Sequence, residues 1–224
     1  WSDQPNSPRV VLKEIIIPIY IEKARLRVAE RFERDAKLLK SLDHPKIVKL
    51  HDYFNEEHRA FLMLEYIEGT TLQEKVQMQG AMSEEEVLNL AKQMLDILEY
   101  LHSCTPPVVH RDFTPDNLMV NEEGEVKLID FDVALQAEEA VKSKVTIVGK
   151  QNFLPPEQFR GHPCPQSDIY ALGATLYFLL TGREPEALDS CHPQYVTDTV
   201  SDHLDAFVAR CTEPELRRRF RNIA

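Results

Sequence analysis

The first pattern along the chain is an apolar, mostly β-branched run over 10–17, Val-Val-Leu-Lys-Glu-Ile-Ile-Ile, which predicts a strand with Lys13 inside it. Residues 1–9 are polar and carry two prolines, so they read as a turn or strand end. Over 24–42 the period changes. Val28, Phe32, Leu39 and Leu42 recur at helical spacing, and Asp35 falls on their face. Residues 44–54 and 59–67 predict two further strands joined at Asn55–Glu57. Gly69, the first glycine of the chain, closes the second. A short helix is expected at 71–79. Ser83 and Glu86 form a capping box for a longer one bearing Val87, Leu90, Ala91, Met94, Leu98 and Leu101. A small hairpin follows, turning at Asn121–Gly124. Residues 132–165 read as a long loop, of the kind that carries function. Helices are expected at 167–181 and 202–211. Strands around one helix and then mostly helices give a two-lobed α+β protein, with no internal repeat.

Composition narrows this. Of 224 residues, 26 are Lys or Arg and 37 Asp or Glu, a net charge of −11. That argues against a nucleic-acid surface and favours small or basic partners. Cys104, Cys164, Cys191 and Cys211 form no CxxC pair. His162, Cys164 and the Cys191-His192 pair are read as loop and core residues rather than metal ligands. Free thiols and the lack of a signal peptide point to the cytoplasm. The apolar run 171–180 is shorter than the ~20 residues that cross a bilayer, so no membrane segment is expected.

The chemistry lies in "VVHRDFTPDN" at 108–117 and "LIDFD" at 128–132. Phosphoryl transfer needs a cation for the nucleotide phosphates, a carboxylate to take the hydroxyl proton, and hard oxygen donors for magnesium. Lys13, Asp112, and the pair Asn117 and Asp130 supply these types in order. Each piece alone is weak; their order and spacing carry the inference.

Together these motifs resemble the catalytic domain of eukaryotic-type (Hanks) protein kinases, in phrasing similar to bacterial and cyanobacterial Ser/Thr kinases. "VVLK" resembles the VAIK strand, "HRDFTPDN" the catalytic loop, "PPE" at 155–157 the APE motif, and "SDIYALGATLYFLLTG" the helix with a buried Asp168. The resemblance implies a protein kinase-like fold over 1–224, with a partial, β-rich N-lobe at 1–66 and a larger helical C-lobe at 67–224. It implies ATP and magnesium as cofactors, a protein substrate presenting Ser or Thr, and room for self-association in autophosphorylation. It also implies adenine contacts from the Glu65 carbonyl and Ile67 amide with Leu64 as gatekeeper, and an Arg217–Glu157 ion pair. Arg111 would meet a phosphate on Ser143 or Thr146, Thr146 being preferred.

Four departures accompany the resemblance. No glycine precedes Gly69, so either a glycine-rich loop lies upstream in a longer natural chain, the reading that residues 1–9 as the end of a strand and its turn favour, or the protein lacks that loop. Asp35 stands where the helix glutamate is expected, and a buried carboxylate there needs a partner, for which Lys13 is the candidate. Asp132 replaces the glycine of DFG, where Asp tolerates fewer backbone turns. Thr114 stands where the family has Lys, while Lys150 follows Gly149 where the family has Thr. That exchange predicts the Lys150 amine beside Asp112, with the Thr114 hydroxyl near; otherwise Lys150 is a solvated surface charge. The missing loop, Asp35 and Asp132 motivate a different reading, a pseudokinase or scaffold without efficient turnover. A small-molecule kinase of the aminoglycoside type is opposed by the "PPE" and buried-helix features.

Overall fold

The computed structural model describes residues 9–16, 22–56, 59–131, 135–136 and 150–223. In the smaller lobe, β1 (Val10–Ile16), β2 (Leu50–Glu56) and β3 (Arg59–Glu65) form an antiparallel sheet in the order β1-β3-β2. The β3 strand is central and alternates buried Ala60, Leu62 and Leu64 with less buried residues, the period-two pattern of a sheet with one covered face. Helix α1 (Glu22–Ser41) provides the cover through Phe32, Ala36 and Leu39. Among the described residues β1 is an edge, and Val10, Val11 and Leu12 are exposed.

A short crossing joins the lobes. Val48 N–H donates to the Leu128 carbonyl and Leu128 N–H to the Lys46 carbonyl, both at 2.9 Å. Strand β4 (Thr70–Thr71) pairs with β6 (Leu118–Val120), which pairs with β7 (Val126–Leu128). Gly69 is required here, because a Cβ would collide with the Val120 carbonyl.

The larger lobe is helical. Thr71 caps α2 (Leu72–Gln79) and Ser83 caps α3 (Glu84–Ser103), each with a reciprocal capping box. The α3 helix buries Val87, Leu90, Ala91, Met94, Ile97, Leu98 and Leu101. After β5 (Val108–Val109) comes a 3-10 turn at Pro115–Asn117. Strand β8 (Leu135–Gln136) pairs with β5. Short α4 (Pro156–Phe159) precedes α5 (Pro165–Thr181), which is buried nearly all round. Against it packs α6 (Asp202–Cys211). Gly173 allows this approach; a Cβ there would lie 2.5 Å from the Cys211 Cβ. One continuous apolar core joins both lobes, from Phe32 of α1 to Val208 of α6. No described helix is long and apolar enough to cross a membrane.

The expected strands and helices agree with these elements to within a residue or two at most ends. Within the expected loop 132–165, β8, α4 and a 3-10 turn at Gln151–Phe153 are exceptions. Asp132, Ser143, Thr146 and Gly149 lie outside the described residues, as do 1–8.

Candidate active site

The site grows from Asp168, a fully buried acid in the first turn of α5. Its Oδ2 accepts from His110 N–H (2.9 Å) and its Oδ1 from Arg111 N–H (2.8 Å). His102 Nε2, from the end of α3, lies 2.9 Å from Oδ2. These bonds hold Arg111 at φ +71°, a left-handed conformation that costs a non-glycine residue about 1–3 kcal/mol. Gln158 of α4 donates to the Arg111 carbonyl (2.7 Å), and Thr175 of α5 to the Phe113 carbonyl (3.0 Å). The loop is therefore pinned from two helices before any functional side chain is placed.

Asp112 follows this strained residue. Asn117 Nδ2 donates to its Oδ2 and to its carbonyl, both at 2.9 Å. Its Oδ1 is buried without a hydrogen-bond partner among the described residues. Burial pushes the carboxyl above its ordinary pKa, opposed by His110 and by the Asn117 bond. His110 Nε2 meets the Asp130 carbonyl at 2.6 Å, so that nitrogen carries the proton, and Nδ1 is left to face the Asp112 N–H (3.4 Å). Phe131 is buried edge-on to His110, with ring centroids 5.0 Å apart. This fixes Asp130, whose Oδ2 lies 3.0 Å from Lys13 Nζ of β1. Asp112, Asn117, Asp130 and Lys13 thus come together, the lysine from the small sheet and the others from the large lobe. Because Asn117 turns its amide nitrogen toward Asp112, its Oδ1 remains as an acceptor. With Asp130 it forms a hard oxygen set that fits a divalent cation of the magnesium type.

A family model described as the protein kinase domain matches residues 4–220. The chain belongs to the protein kinase domain family. It is 37% identical over 157 residues to serine/threonine-protein kinase PrkC of Bacillus subtilis, covering 69% of this chain and 24% of that protein. It is 33% identical over 235 residues to serine/threonine-protein kinase B of Synechocystis, covering 97% and 40%. It is also 33% identical over 199 residues to serine/threonine-protein kinase PknA of Nostoc, covering 84% and 35%. The chain thus spans less than half the length of these relatives.

Three expected contacts of this kinase domain differ in the structure. Lys13 pairs with Asp130, whereas Asp35 is met by Arg31 and Arg34 of its own helix, each at 3.4 Å. Asp35 does face inward, on a cavity of about 220 Å³ lined by Ile15, Val28, Phe32 and Leu62, while Glu33 is exposed and bonds Lys37. Asp is one methylene shorter than Glu, and the nearer arginines take its charge. Secondly, Lys150 Nζ lies 2.5 Å from Asp116 Oδ2, not beside the Asp112 carboxylate. Thr114 is buried, its N–H donating to the Asp112 carbonyl (2.9 Å). Thirdly, Glu157 is met by Arg219 (2.6 Å), not Arg217. Arg219 also donates to the Glu213 and Gln166 carbonyls and is wholly buried, whereas Arg217 is 80% exposed and pairs with Glu215.

Leu64 is buried at the end of β3, and Ile67 is partly buried in the crossing. The Glu65 N–H donates to the Lys49 carbonyl (2.9 Å), while its carboxylate pairs with Lys127. Arg111 is buried near Arg31 and Arg34; burial and those two charges push its guanidinium pKa down. The sequence reading missed His102, Gln158, Asp116 and Arg219. Gln158 stood next to Glu157 and Asp116 next to Asn117, but neither residue type announces its partner.

Proposed function

We propose that this domain transfers the γ-phosphate of ATP to Ser or Thr hydroxyls of protein substrates. The observation that carries the proposal is the hydrogen-bonded Asn117–Asp112 pair set beside the Lys13–Asp130 pair. The relatives named above are serine/threonine-protein kinases, which supports the same reading.

In this reading Asp112 Oδ1, without a partner among the described residues, accepts the proton of the attacking hydroxyl. The hydroxyl oxygen bonds to the γ-phosphorus as the bond to the β-bridging oxygen breaks, and ADP leaves. Asn117 and Asp130 would hold magnesium, which when bound would supply positive charge to the phosphate oxygens. Lys13 exchanges Asp130 for the nucleotide phosphates. Adenine would sit against Leu64 and bond to the Glu65 carbonyl and Ile67 amide. Arg111 would receive a phosphate carried on Thr146 or Ser143. Autophosphorylation would need self-association, and the reaction belongs to the cytoplasm, where ATP is found. The domain then comprises a partial N-lobe at 1–66 and a C-lobe at 67–224.

The test uses the full-length protein. Asp112→Asn should abolish transfer and leave nucleotide affinity intact. Asp130→Asn should abolish transfer and also weaken magnesium-dependent nucleotide binding. Undiminished transfer in either variant removes the assignment.

A further inference from the structure

Lys150 and Asp116 form an ion pair that joins two separately anchored pieces of chain. Lys150 begins the turn Gln151–Phe153, and Phe153 N–H donates to its carbonyl (2.9 Å). Phe153 and Leu154 are buried, the former against Phe178 of α5, and Asn152 bonds Glu184 (2.8 Å). This end is therefore fastened to the large lobe. The other end is Asp116, the middle residue of the Pro115–Asn117 turn. That turn is closed by Asn117 N–H donating to the Thr114 carbonyl (3.0 Å). One peptide bond separates Asp116 from Asn117, whose amide grips Asp112 at two points.

We propose that Lys150 is a positioning residue, clasping Asp116 so that the Asn117–Asp112 pair keeps its geometry during phosphoryl transfer. The inference rests on the reading of the site given above. Lys150 acts through Asp116 and does not itself touch the base. Thr114 is buried beside the loop backbone and carries no charge, so the cation at this turn is Lys150, held on Asp116. The pair is roughly 40% exposed at both ends (43% and 40%), so its contribution to global stability is small. Its effect should lie in the placement of the catalytic turn, where small displacements are amplified in rate.

The experiment compares the full chain with Lys150→Met, Lys150→Arg, Asp116→Asn and the charge-exchanged pair Lys150→Asp with Asp116→Lys. Lys150→Met and Asp116→Asn should each lower kcat on the order of tenfold, with the KM for ATP little changed. Their effects should not add when combined. Lys150→Arg and the exchanged pair should recover most of the loss. Hydrogen exchange of the peptide covering 112–118, read without substrate, should be faster in Lys150→Met than in the parent. An inactive parent protein defeats the proposed function, and the exchange readout still decides the clasp. Unchanged exchange at 112–118, or wild-type kcat in Lys150→Met, or no recovery in the exchanged pair, overturns it.

Discussion

Asp35 shows how one carboxyl can be set at odds with its surroundings. Burial raises its pKa from 3.8 to about 6, although Arg31 and Arg34 both pull it down. In the unfolded chain the proton leaves near pH 4, and in the folded protein near pH 6. Between those values only the folded state holds the proton. The stability from neutral Asp35 is therefore complete below pH 4 and lost as pH rises through 6, a difference of up to about 3 kcal/mol. Asp35→Asn should raise the thermal unfolding midpoint by several degrees at pH 7.5 and leave it unchanged at pH 4. Equal midpoints at both pH values would show that the ionised carboxyl is already well accommodated. Asp168 has the opposite character. Its two carboxyl oxygens accept from two buried N–H groups and prop Arg111 in a left-handed conformation. Asp168→Ala should lower stability by about 3 kcal/mol or more, read by urea unfolding, because two donors are orphaned and the strain is unsupported.

At the scale of elements, α4 and the start of α5 are tied to the chain's last turns by Glu157 and Arg219. Their contact is buried, and Ser167 Oγ donates to the same Glu157 oxygen (2.9 Å). Arg219→Met should destabilise the domain by about 3–5 kcal/mol, since it leaves a buried carboxylate without its counter-charge. Arg217→Met should leave the urea midpoint unchanged. This difference was not legible in the sequence. Residues 217–219 are three arginines in a row, and which one turns inward depends on the path of the chain after Pro214. The helices were legible because α1 and α3 repeat apolar residues at 3.6-residue spacing and α3 opens on a capping box. The inward face of Asp35 followed from that period too. Its partner did not, because the gap between α1 and β1 is a tertiary quantity. Likewise the residues of the catalytic turn were readable from their order, while the bond from Lys150 to Asp116 needed the fold to bring the two together.

On the scale of the whole molecule, a small sheet-and-helix lobe and a helical lobe share one core and meet at the crossing near Val48 and Leu128. The functional groups come from both sides, Lys13 from the small lobe and Asp112, Asn117 and Asp130 from the large one. A net charge of −11 should draw basic substrates, so rates toward a basic peptide should exceed those toward an acidic one and fall as salt is raised. The central claim is that these groups perform phosphoryl transfer to hydroxyl side chains. It is tested most directly by incubating the full-length protein with γ-labelled ATP, magnesium and a protein substrate, followed by analysis of the labelled amino acids. Label in phosphoserine and phosphothreonine, dependent on magnesium and absent from Asp112→Asn at undiminished nucleotide affinity, is the expected result. Equal labelling by Asp112→Asn, or nucleotide bound in the presence of magnesium with no label transferred, would contradict it.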